Sequence, residues 1–247
     1  MKTILITGGG RGIGAACALL AAKQGYQVGI NYTSDAAAAA GIVGAIEDAG
    51  GSALAIQADV SNEADVERMF AWLDQRFGRL DALINNAGIL ARQMRVDQMD
   101  AARISRILAT NVTGSFLCAR EAVRRMSTRY GGQGGSIVNI SSRAAVLGAA
   151  GEYVDYAASK AALDGLTIGL SREVASEKIR VNGVRPGLIH TEMHASGGEP
   201  ERVNRLQSLV PMQRGGEPIE VAKAALWLLS DEASYTTGTF IDVSGGR

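Results

Sequence analysis

The chain is 247 residues long, room for one α/β domain or two small ones, and its 25 Lys plus Arg balance 25 Asp plus Glu. A net charge of zero gives no electrostatic footprint for nucleic acid or an anionic membrane, so neither is an expected partner. Apolar residues make up 47% of the chain, ample for a core, yet no apolar run approaches the about 20 residues that span a bilayer.

Taken in order, strand-like and helix-like segments alternate. Ile4 to Ile6 is a short apolar strand, and Ala15 to Lys23 an alanine- and leucine-rich helix. Tyr26 to Tyr32 is a second strand, Asp35 to Ala49 a helix closed by Gly50-Gly51, and Ala53 to Gln57 a third strand. Asn62 to Phe77 is amphipathic, with Val66, Met69, Phe70 and Leu73 on one face, Asn62 as its cap and Gly78 as its stop. Leu80 to Ile84 is strand four. Asp97 to Arg129 reads as helix in two pieces, ahead of strand five at Ser136 to Ile140. Tyr153 to Glu177 is a helix and Ile179 to Val184 strand six; Pro218 to Leu229 is a helix and Phe240 to Val243 the last strand.

Such βα alternation predicts a parallel sheet covered by helices on both faces. Right-handed crossovers make it a doubly wound, Rossmann-type sheet in the order 3-2-1-4-5-6-7. No composition break marks a linker, so residues 1–247 read as one domain. The start of the chain enters a strand with no basic region before a long apolar stretch, which predicts no signal peptide and a cytoplasmic protein. Cys17 and Cys118 fall in helical patterns and read as small core residues. His190 and His194 lack a third ligand, so no metal site is expected.

Six stretches carry chemistry. Thr7-Gly8-Gly9-Gly10-Arg11-Gly12-Ile13-Gly14 lies between the first strand and its helix. A glycine turn in that context lets backbone approach a pyrophosphate at the positive end of the helix. The spacing of Gly8, Gly12 and Gly14 differs from Gly-x-Gly-x-x-Gly. Asp59-Val60 follows strand three, where an acid accepts a hydrogen bond from an adenine amino group or merely makes a turn. Asn85-Asn86-Ala87-Gly88 follows strand four, where small residues admit a nucleotide ribose and asparagines bridge strands. Tyr156-x-x-x-Lys160 places a phenol and an amine on one helix face. A cation beside the phenol favours the tyrosinate and lowers a pKa of about 10. Ser141-Ser142 ends strand five, within reach of the same substrate oxygen. Asn111, a poor helix former in mid-helix, signals a local break or a buried hydrogen bond.

These motifs, in this order and over nearly the whole chain, resemble the short-chain dehydrogenase/reductase family, with glucose 1-dehydrogenase-like and 3-oxoacyl-carrier-protein reductase-like oxidoreductases as similar members. The resemblance implies Tyr156 as general acid/base and Lys160 as the group that lowers its pKa and holds the nicotinamide ribose. It implies Ser142 as the substrate-positioning hydroxyl and Asn111 as support for a proton relay through water. The cofactor would lie on Thr7, Gly8, Arg11, Gly12, Ile13 and Gly14, on Asn31, Tyr32 and Thr33, on Asp59 and Val60, on Asn86, Ala87 and Gly88, and on Pro186, Gly187, Ile189 and Thr191. Thr191 would take the nicotinamide carboxamide. A homotetramer is the assembly the family commonly forms. A non-catalytic nucleotide sensor is the alternative class; it predicts erosion at Asn111, Ser142, Tyr156 or Lys160, and all four carry the expected residue.

Strand two ends in Asn31-Tyr32-Thr33-Ser34 without an acid to repel a 2′-phosphate, and Asp35 falls at the opening of the next helix. Arg11 stands in the glycine turn where a guanidinium pairs with that phosphate. NADP(H) is therefore the expected cofactor ahead of NAD(H). Residues 188–215 are the expected substrate loop, polar and flexible around Ile189 to Gly198. The expected substrate is a small carbonyl compound or alcohol: a sugar first, a 3-oxoacyl thioester as the alternative.

Overall fold

An apolar run such as Ile4-Leu5-Ile6 has no polar face, and a strand of that kind is stable only with helices on both sides. The computed structural model, which describes residues 1–247, meets that requirement. Seven strands, β1 (Thr3–Ile6), β2 (Gln27–Tyr32), β3 (Ser52–Gln57), β4 (Ala82–Asn85), β5 (Gly135–Ile140), β6 (Ile179–Pro186) and β7 (Phe240–Val243), form one parallel sheet in the order β3-β2-β1-β4-β5-β6-β7. Ile4 pairs with Val28 on one side and Ala82 on the other, so β1 is central.

Successive β1 side chains enter opposite cores. Ile4 and Ile6 belong to a cluster of 22 buried residues beneath α1 (Gly12–Lys23), α2 (Ala36–Asp48) and α10 (Pro218–Leu229). Leu5 belongs to a cluster of 17 residues beneath α3 (Glu63–Phe77) and α5 (Gly114–Met126), Phe70 and Leu73 among them. Each large apolar side chain fully buried there contributes about 1.5–3 kcal/mol. Cys17 and Cys118 lie in different cores, and burial pushes both thiols up to about 12. No helix is long and apolar enough to cross a membrane.

The helix ends follow local chemistry. Asn62 caps α3 by accepting from the Asp65 amide at 3.1 Å, and Gly78 closes it at φ +78°. The stretch expected as a helix from residue 97 starts instead with a 3-10 turn, Val96–Gln98, because Asp100 caps a new helix, α4 (Ala101–Leu108), by accepting from Arg103 N. α4 runs into α5 through a π-turn, Ala109–Thr113. The wide turn lets fully buried Asn111 face the Ile89 backbone while Gly114 presses α5 onto Val60, where a Cβ would lie 2.8 Å from Val60 Cγ2. α7 (Val154–Glu173) ends four residues short of expectation; a 3-10 turn and Lys178 at φ +63° redirect the chain into β6.

Residues 188–215 differ from the expected flexible loop. They hold two short helices, α8 (Met193–Ser196) and α9 (Arg202–Leu206), over a cluster of Leu188, Val203, Leu206 and Val210. The last three recur at helical spacing, which gives the segment an apolar face of its own. A further short helix, α6 (Ala144–Leu147), follows Ser142. The carboxyl ends of the strands and the reversal of strand order between β1 and β4 open a crevice, the usual ligand position in such sheets.

Candidate active site

The glycine turn is fixed by the neighbouring strands. Thr7 Oγ1 accepts from the Asn86 and Ala87 amides, both at 3.0 Å, and Asn86 Nδ2 donates to Thr7 O at 2.9 Å and Gly8 O at 3.1 Å. Gly8 stands at φ +61° and Gly12 at φ +50°. Gly14 serves packing: a Cβ there would sit 2.3 Å from Gly8 O. A Cβ on Gly12 would meet Thr191 Cγ2 at 3.2 Å, which brings the turn against the chain after β6. α2, α3 and α4 each have a side chain accepting from their first-turn amides, whereas α1 has none and no acid in its first turn. Its N-terminal donors have no side-chain partner, the arrangement in which a helix start can take an anion.

Three expected cofactor residues have structural partners here. Asn31 turns inward: Oδ1 accepts from Gly8 N at 3.2 Å and Nδ2 donates to Ala58 O at 2.9 Å, tying the glycine turn to the end of β3. Asp59 makes the turn, Oδ1 accepting from the Ser61 amide and hydroxyl, with buried Val60 against Gly114. Tyr32 is half-buried, Thr33 is exposed, and Asp35 caps α2 by accepting from Ala38 N at 3.0 Å. Arg11 is exposed at the mouth of the turn.

The second half of the site converges on α7. Lys160 is 3% exposed, and its Nζ donates to Ile140 O at 2.7 Å, so the end of β5 positions it. Asn111 Oδ1 accepts from Ile89 N at 2.8 Å while Nδ2 donates to Ser159 Oγ at 3.0 Å, which ties the π-turn to α7. A Cβ on Gly88 would lie 3.4 Å from Lys160 Nζ and 3.5 Å from Asn111 Oδ1, so these groups flank the end of β4. Across that strand end, buried Asn85 donates to Asn139 and Asn139 to Thr167 of α7. The two serines separate. Ser141 is buried and donates to Lys160 O at 3.2 Å, whereas Ser142 lines the same cavity as Tyr156 and accepts from Ala144 N.

The electrostatics correct one expectation. Burial pushes the Tyr156 phenol up to about 12, opposed only by the nearby Ser142 hydroxyl, instead of lowering it. Burial also brings Lys160 down to about 8, against the pull of Asp164. Lys160 Nζ lies 5.7 Å from the centre of the Tyr156 ring and is held by a carbonyl. Desolvation therefore dominates both groups in the protein alone.

A cavity of about 160 Å³ opens between these halves. Ile13, Asn86, Ser142, Tyr156, Lys160, Pro186, Gly187, Ile189 and Thr191 line it. So do residues the sequence did not single out: Leu90, Ala144, Leu147, Tyr153, Met193 and Arg202. Tyr153 was findable, one helical turn before Tyr156. Arg202 carried no local signal, since its burial rests on Glu152, fifty positions earlier.

The sequence model of the family described as Enoyl-(Acyl carrier protein) reductase matches residues 8–247. The chain is 59% identical to the uncharacterized oxidoreductase YgfF of Escherichia coli (strain K12), with 100% of both covered. It superposes on a short chain dehydrogenase from Burkholderia cenocepacia in complex with NADP with a TM-score of 0.91 at 35% identity, over 99% of this chain and 97% of that one. For a 3-ketoacyl-(acyl-carrier-protein) reductase from Brucella melitensis complexed with NADH the TM-score is 0.92 at 34% identity, covering 100% and 98%. Sequence and fold agree over the full length, and the chain belongs to the short-chain dehydrogenase/reductase family, as an NAD(P)-dependent oxidoreductase.

Proposed function

We propose that the protein interconverts a carbonyl compound and a secondary alcohol with NADP(H), and that Tyr156 moves the proton. One observation carries this reading: the Ser142 hydroxyl, the Tyr156 phenol and Lys160 line one cavity, and that cavity also reaches Ile13, in the uncapped first turn of α1. The nicotinamide, when bound, supplies or removes hydride at the substrate carbon. The rest is done by side chains of this chain. Ser142 donates to the substrate oxygen and orients it. Tyr156 gives its proton to that oxygen in reduction and recovers it in oxidation. Lys160, anchored on Ile140, stabilises the tyrosinate that forms, and Asn111 and Lys160, on either side of Gly88, support a relay through water that resupplies the proton.

NADP(H) is preferred because β2 ends without an acid, Asp35 is engaged as a helix cap, and Arg11 is free at the glycine turn. Residues 188–215 form the substrate side, and a sugar or a 3-oxoacyl thioester enters there beside other carbonyl compounds. The protein works as a homotetramer; exposed Ile168 on α7 and Trp227 on α10 supply apolar surface for it. The test is NADPH and NADH oxidation against ketones, aldehydes and 3-oxoacyl thioesters, with sugars in reverse. Tyr156→Phe is expected to lose turnover by about 10³-fold or more while still binding cofactor; full activity in that variant would sink the mechanism.

A further inference from the structure

The cavity wall beyond Ser142 and Tyr156 is apolar: Leu90, Ala144, Leu147, Leu188 and Met193. The charged side chains among it are already bonded. Arg143 donates to Asp242 Oδ2 and to Arg247 O, both at 2.6 Å. Arg202 pairs with Glu152 and, at 2.8 Å, with Glu199, and stacks 5.1 Å from the Tyr153 ring centre. His194 Nε2 is hydrogen-bonded to Ile189 O at 3.0 Å, while its Nδ1 is buried without a partner. Thr191 lies against Gly12, on the cofactor side. Besides Lys160, which donates to Ile140 O, the Arg247 side chain adds a cation outside these pairs.

A polyhydroxylated substrate gives up water at every hydroxyl and needs a free partner for each. This wall has almost none to offer. An apolar body gains on entry by leaving water, with no partner required. The apolar surface continues outward as well: Val146 and Leu147 on α6, directly after Ser142, are 58% and 50% exposed. Exposed apolar side chains at a cavity mouth mark a place where a ligand continues.

We infer that the substrate is an apolar, alicyclic or branched ketone or secondary alcohol, held by shape, with its oxygen on Ser142 and Tyr156 as the main polar anchor and its body running out over α6. This rests on the oxidoreductase reading above and narrows it away from sugars. The Arg202–Tyr153 wall sets the depth of the site. A Cβ on Gly197, behind that wall, would meet Leu90 Cδ2 at 2.8 Å and Tyr153 Oη at 3.1 Å, so the wall has no slack to swallow a larger group inward.

The experiment measures NADPH-dependent reduction by the full chain of cyclohexanone, 2-decalone and 1,3-dihydroxyacetone, with glucose in the oxidative direction. The expected kcat/KM rises roughly tenfold from cyclohexanone to 2-decalone, and falls for the hydroxylated compounds to about a hundredth of the decalone value. Leu147→Asp, on the exposed mouth, is expected to lower the decalone value about tenfold with NADPH affinity unchanged. Calorimetry of the NADPH complex of the Tyr156→Phe variant, which holds the ketone without reducing it, with 2-decalone and with glucose separates the two readings. Decalone binding with a negative heat-capacity change supports the inference. Decalone bound with no ketone ever reduced supports the apolar site and defeats the oxidoreductase reading. No decalone binding, or preferential turnover of glucose or dihydroxyacetone, overturns the inference and leaves hydride transfer standing.

Discussion

The two halves of the crevice are built differently. In the nucleotide half short side chains are fitted onto backbone: Thr7 and Asn86 bond the main chain of the turn and of β4, Asn31 ties in β3, and Gly14 packs without room for a methyl group. The substrate half is held by side chains. Arg202 clasps Glu152 and Glu199, Gln93 donates to Glu199 at 2.6 Å, and a four-residue apolar cluster supports α9. A backbone fit tolerates few residue types, because every change moves main chain. A side-chain clasp admits many, because partners can be exchanged in pairs. On the function proposed above, the nucleotide half is then the invariable part of the crevice and the substrate half the part free to differ.

The sharpest way to break this contrast is Gly14→Val. Its Cβ would overlap Gly8 O, so the turn or α1 must move. Overpacking of that kind costs about 1–3 kcal/mol of stability. Displacing the α1 amides should weaken NADPH binding by about a hundredfold or more. A melting curve with a fluorescence titration of NADPH reads both, and unchanged affinity would show that the turn does not cradle the cofactor.

On the other half, Arg202→Met should act on substrate alone. It removes a side chain that is 9% exposed and leaves Glu152 and Glu199, themselves partly exposed, to find water. That moderates the loss from the about 3–5 kcal/mol of a broken buried pair to about 1–2 kcal/mol. The expected signature is a KM raised about tenfold with NADPH affinity intact. A parallel loss of NADPH binding would mean that the halves are not independent.

Intermediate in size is the pH effect, which tests how the halves meet. Lys160 is depressed to about 8 from its ordinary value, so its proton is lost as pH rises through 8. Tyr156, near 12, stays protonated throughout. Carbonyl reduction needs both protons, so kcat/KM should be level below pH 7 and fall above about pH 8, and Lys160→Arg should move the fall well upward. A wild-type profile level to pH 9.5 would remove Lys160 from the step.

Much of this was legible in the sequence, and the residues show why. Strand order followed from βα alternation with right-handed crossovers wound in the Rossmann manner, and Asn62, Gly78 and Asp35 marked helix ends through local chemistry. Asn111 announced a break in a helix, and a π-turn is there. What stayed hidden depends on distant residues. The inward turn of Asn31 needs Gly8 and Ala58, and the burial of Arg202 needs Glu152. The rise of the Tyr156 pKa was missed because spacing reports a neighbouring charge but not the loss of water around it.

The smallest expected effect concerns the cofactor's extra phosphate. Arg11 and Asp35 carry opposite charges at neighbouring helix starts, and both are exposed. Asp35 is occupied: its carboxylate accepts from Ala38 N, so Asp35→Ala should cost about 1 kcal/mol of stability while barely altering the NADPH/NADH ratio. Arg11 gives α1 no cap, so its guanidinium is at liberty to pair with a 2′-phosphate. Solvent screens such a pair, and about 1.4 kcal/mol, a tenfold loss, is the scale to expect for NADPH on Arg11→Ala. NADH carries no phosphate at that position and should lose less than about twofold. Equal losses for both would place Arg11 on the shared pyrophosphate, and the preference for NADP(H) would then rest on the missing acid at the end of β2 alone.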